Sequence, residues 1–135
     1  MANKFSRHWP ALLGALMLPM AVQAIAADSA ATKEAGIASA HAGMAFGAKD
    51  LKVTHMHLHH VVNCLVGPAG KGFDANEADP CKGVGNGAIV DAKGDAATES
   101  MLQAALAEAE KGLQASSFEA AHADAGKVMQ TLQGK

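Results

Sequence analysis

The chain has 135 residues, a net charge of −2 with histidine neutral, half of its residues apolar, 4% aromatic, and two cysteines. That length suffices for one small domain with a modest core. Its only arginine, Arg7, and its only tryptophan, Trp9, lie near the N-terminus and it has no tyrosine. Beyond Trp9 the chain therefore has no arginine fork, no basic stripe and almost no stacking surface to offer nucleic acid.

The N-terminus has the three parts of a secretory signal. Lys4 and Arg7 form a basic start, the apolar run Ala11–Leu18 comes next, and small residues stand at cleavage spacing near Val22–Ala27. Pro19 interrupts the apolar run, which falls short of the ~20 residues that span a bilayer. Residues 1–27 are thus expected to be a signal peptide, cleaved after Ala24, Ala26 or Ala27, with a periplasmic destination. Cleavage leaves residues 28–135 as one domain with a net charge of about −4. No later apolar run is long enough to hold a membrane. In an exported chain, the even cysteine count predicts a Cys64–Cys81 disulfide.

Composition divides the rest into three parts. Residues 30–65 are rich in Ala, Leu, Met and His and read as helical. Residues 67–95 hold seven glycines with Pro68 and Pro80 and read as a loop, flexible around Gly83–Gly87. Residues 96–132 again read as helical. Asp50 can cap a helix starting at Leu51, and Ser116 with Glu119 has capping-box spacing. The expected fold is all-α: a four-helix bundle of two helical hairpins, joined by a long Gly-rich, disulfide-closed loop. The helices are expected near 31–48, 51–65, 97–114 and 117–133. A shift of 67 residues lays Asp50 over Ser117, His55 over His122 and Leu65 over Leu132, the pattern of a duplicated hairpin.

Six histidines lie beyond the signal: His41, His55, His57, His59, His60 and His122. On the second expected helix, Leu51, Leu58, Val62 and Leu65 form an apolar stripe that includes His55. Ile37, Met44 and Ala48 similarly place His41 inward on the first, and Phe118, Ala125, Met129 and Leu132 place His122 inward on the fourth. His55 and His59, four apart, can share one metal ion. The expected site therefore joins His55 and His59 to His122 and His41, with Asp124 or Glu119 orienting a ligand. His57 and His60 form a second pair on another face. Imidazole suits copper, zinc or nickel. Non-covalent haem is the alternative cofactor, with His41, His55, His122, Met44 and Met129 as axial candidates. No Cys-x-x-Cys-His motif exists for covalent haem.

The signal segment, Ala-His-Ala at 40–42 and again at 121–123, and the cluster at 55–60 together resemble the small His-rich periplasmic metal-binding helical-bundle proteins of Gram-negative bacteria. The resemblance implies buffering or scavenging of divalent metals without catalysis. The remaining motifs agree with a non-enzyme. Gly83–Gly87 lacks dinucleotide-binding spacing, the serines have no triad context, and Asp74, Glu77, Asp79 and Asp91 do not match an EF-hand. A third reading is an exported adaptor that engages a periplasmic protein partner through the loop and the second helix.

Overall fold

The computed structural model describes residues 29–135; the expected signal peptide lies outside the described residues. The described residues form five helices and no strand. The helices are α1 (Ala30–Gly47), α2 (Leu51–Val66), the short α3 (Ala88–Asp91), α4 (Ala96–Gln114) and α5 (Phe118–Leu132). α1 packs on α2 and on α5, while α4 packs on α5 and on α2. None of the described helices is long and apolar enough to cross a membrane.

Each long helix starts on a side-chain cap that satisfies an otherwise orphaned backbone N–H. The oxygens of Ser29, Asp50, Asp95 and Ser117 accept from the N–H groups of Thr32, Val53, Thr98 and Ala120. Asp50 caps as expected. The cap of α5 is Ser117 rather than Ser116, which moves the start by one residue and leaves Glu119 in the first turn.

The core corrects the expected stripes. The buried row of α1 is Ala31, Glu34, Ala38, Ala42 and Ala45, while Ile37 is half-buried and Met44 is 50% exposed. On α4 the row is Leu102, Ala105, Ala109 and Gly112. On α5 it includes Ala121, Ala125 and Val128. Small side chains let the helix axes approach closely, so alanine ridges take the interface and larger residues are displaced to its edges. Gly112 marks the limit of that approach: a Cβ there would stand 2.7 Å from Leu58 Cδ1. Leu58, Leu65 and Leu102 supply the bulk, fully buried and worth about 2–3 kcal/mol each.

α2 is the most enclosed helix. Its inward row is Thr54, Leu58, Val61 and Leu65, and every residue from His60 to Val66 is buried, because the 67–87 segment folds back over its C-terminal half. That segment is pinned, contrary to the flexible loop the glycines suggested. Cys64 and Cys81 form the expected disulfide. The fully buried Asn63 donates through Nδ2 to the carbonyls of Asp74 and Ala78, at 3.0 and 3.1 Å, and accepts from the Asp74 N–H at 2.9 Å. The ends meet at a neck where Gly67, at φ +68°, and Gly87, at φ +114°, touch backbone to backbone. Both the dihedrals and the contact require glycine. Beyond the neck, α3 provides a turn of helix within the segment expected to be loop.

Glu34 ties α1 to this neck. Its side chain is buried, and Oε1 accepts from the Gly87 N–H at 2.9 Å. Burial raises its pKa above the usual carboxylate value, and the neighbouring Asp91 adds to the rise. Asp91 accepts from the Asn86 backbone and side-chain N–H groups, which hold its own pKa down. Glu34 is therefore the member of the pair that retains a proton most readily.

Candidate metal centre

Three imidazoles converge between α1 and α2. His41 Nδ1 lies 3.2 Å from His57 Nδ1 and 3.3 Å from His60 Nδ1. The three ligand atoms all lie within 4.8 Å of one another. His57 and His60 are one helical turn apart, so both point to the same side of α2, where the antiparallel α1 presents His41. The rings are tilted or edge-on to one another, with the His41 and His60 planes at 88°. That arrangement aims nitrogen atoms, rather than ring faces, at a common point.

The spacing can be compared with metal geometry. Zinc–imidazole bonds of about 2.0–2.1 Å give a tetrahedral ligand–ligand edge of about 3.3–3.4 Å and a square-planar edge of about 2.9 Å. The two close Nδ1 separations match the tetrahedral edge. Without metal, a proton on either nitrogen of each close Nδ1 pair can bridge it, whereas metal ligation needs all three Nδ1 atoms free. A metal ion bound to these nitrogens would require the bridging proton to move to Nε2, leaving neutral imidazoles as ligands.

Electrostatics favour the neutral, ligating form. Burial pulls all three imidazoles below the ordinary histidine value. Charge repulsion lowers His41 further through His60 and His57, and lowers His60 through His57 and His59, while Glu77 acts upward on His60. His60 is 8% exposed, whereas His41 and His57 are half-buried, so the cluster is closed on the His60 side and accessible on the other.

The site differs in membership from the sequence expectation. His41 is in it, and the second pair, His57 and His60, replaces His55 and His59. His59 turns to the loop, with Nδ1 3.7 Å from Asp74 Oδ2. His55 has a buried Nε2 without a protein partner and lines a groove with Met56, His59 and Glu77. His122 stacks on Phe46 at a centroid distance of 4.5 Å and lies 5.4 Å from the Phe118 ring. The cause is the one-position displacement of the buried rows: an expected inward position becomes a shoulder. His41 stands on the α1 shoulder that faces α2. His122 stands on the α5 shoulder beside Phe46.

Asp124, expected to orient a ligand, is buried and accepts from Lys111 at 3.1 Å and Lys127 at 2.9 Å. Burial opposes its ionisation, but these two lysines outweigh it and hold its pKa low. Glu119 is exposed. The carboxylates that reach histidines are instead Asp74 and Glu77, both from the pinned loop. Of the haem candidates, His41 belongs to the triad, His122 stacks on phenylalanine, and Met44 is half exposed.

No family model, curated protein or solved structure matches this chain. A histidine triad able to hold a metal ion is what its own geometry provides.

Proposed function

We propose that this is an exported, non-enzymatic metal-binding protein that holds one divalent transition ion on His41, His57 and His60, for buffering, storage or delivery. The observation that carries the reading is the convergence of three Nδ1 atoms, two of the separations being 3.2 and 3.3 Å. That spacing supports zinc over copper(II) or nickel(II), whose tetragonal preference calls for shorter edges. The four long helices act as a bundle that sets the α1–α2 spacing. Three imidazoles with one accessible side leave the fourth coordination position to water or to a competing ligand, and an open position suits exchange better than permanent structural retention. The pattern at the N-terminus supports a periplasmic address, where such a protein would meet metals from outside the cell.

Elemental analysis of untagged protein, followed by zinc and cobalt(II) titration, tests this. The expected result is one equivalent bound, with a tetrahedral cobalt spectrum that disappears in His41→Ala, His57→Ala and His60→Ala. Binding that survives all three substitutions would overturn the assignment.

A further inference from the structure

The pinned loop brings a carboxylate to the back of one ligand. His60 points Nδ1 at the cluster, while its Nε2 lies 4.0 Å from Glu77 Oε2. Among the described residues, Glu77 makes no other ion pair and its side chain makes no hydrogen bond. Its position is built rather than incidental. Asn63, three residues beyond His60 on α2, clamps the backbone at Asp74 and Ala78 on either side of Glu77. The Cys64–Cys81 disulfide secures the same segment four residues later.

Resting on the metal reading above, we propose that Glu77 is the positioning residue of this site: it accepts the His60 Nε2–H and holds His60 in the tautomer whose Nδ1 is free to bind metal. The 4.0 Å separation is an ion-pair distance, and a shift of about 1 Å brings it into hydrogen-bond range. Glu77 has 35% of its side chain exposed and can make that shift by rotation. A carboxylate behind a ligating imidazole fixes the ring and increases its basicity. The consequence extends to the loop. Its glycines, Asn63 and the disulfide together deliver one oxygen atom to His60. Asp74 reaches His59 in the same way, but His59 lies outside the triad, so the two carboxylates have different roles despite equal charge.

The test compares zinc affinity at pH 7, by competition with a chromophoric chelator, in the full chain and its Glu77→Gln, Glu77→Asp and Asp74→Asn variants. Glu77→Gln is expected to weaken binding about 10–100-fold, with Glu77→Asp recovering part of the loss. Asp74→Asn removes the same charge and is expected to cost no more than about threefold, the scale of a half-exposed pair. Ring nitrogen NMR of the metal-free wild type should show the His60 proton on Nε2, and a tautomer mixture in Glu77→Gln. Equal losses in Glu77→Gln and Asp74→Asn, an unchanged Glu77→Gln, or a wild-type His60 protonated on Nδ1 would each overturn the proposal. If His60→Ala binds zinc like the wild type, it is the metal assignment that fails, and the two failures are distinguishable.

Discussion

His41 is the only triad member on α1, so a bound ion links α1 to α2 and should stabilise the fold through that link. At zinc a hundredfold above its dissociation constant, binding to the native state alone contributes about 2.7 kcal/mol. For a domain of about a hundred residues, each kcal/mol moves the melting temperature by roughly 4–8 °C, so zinc should raise it by roughly 10–20 °C. His41→Ala leaves two imidazoles on one helix and removes the link. The zinc-induced rise should then drop below about 5 °C, which corresponds to less than about 1 kcal/mol. His122→Ala, which loses only a stack on Phe46, should keep the full increment whatever its own melting temperature. Far-UV circular dichroism melts with and without zinc measure this directly. A full rise retained in His41→Ala, or lost in His122→Ala, would show that the ion does not bridge α1 and α2 through this triad.

The three triad histidines, each lowered by burial, make metal-free stability depend on pH. The unfolded chain takes up protons as pH falls through about 6.5 while the folded cluster resists, so stability is present above that value and lost below it. Denaturant midpoints should fall between about pH 7 and pH 5, and less so in a variant with all three replaced by glutamine. Glu34 has the opposite sign. Its raised pKa means that stability is present below the ordinary carboxylate value and lost as pH rises through the folded one, so Glu34→Gln should raise the melting temperature at neutral pH. Gly112→Ala forces a methyl against Leu58 and should cost about 1–3 kcal/mol in chemical denaturation. Reducing Cys64–Cys81, which closes a separation of 17 residues, should cost about 3 kcal/mol and loosen Asp74 and Glu77 from α2.

Much of the fold was legible. Asp50 ahead of an apolar-rich segment marked the α2 start, glycine density marked residues 67–95 as the connecting segment without revealing the α3 turn inside it, and two cysteines implied the bridge. The registers of the helices were not legible in the same way, because Ile37, Met44 and Phe118 drew the stripes toward the largest apolar side chains. In this chain alanine fills the interfaces, and the row Ala31, Ala38, Ala42 and Ala45 was visible at helical spacing. That row would have placed His41 on a shoulder. The site was legible as histidine chemistry, and His57 with His60 was visible as a pair. Which pair meets α1 depends on packing that periodicity alone does not contain. Asn63 carried no local signal at all, since its three bonds reach 11 to 15 residues along the chain.

The site is compact along the sequence. His41 lies 16 residues from His57 and 19 from His60, and the disulfide spans 17 more from within α2. A metal ion would therefore act as a second cross-link of nearly the same reach as the first, one bracing α2 toward α1 and the other toward the loop. Two short closures sharing one helix remove chain entropy cheaply and early. They also confine the histidine triad and the carboxylate nearest it to residues 41–77, whereas α4 and α5 contribute no member of the triad. In the loaded protein that segment should be the last to open in hydrogen exchange, with α4 and α5 fraying first. The single intervening turn, Ala48–Asp50, is the only connection that such an ion would span between α1 and α2.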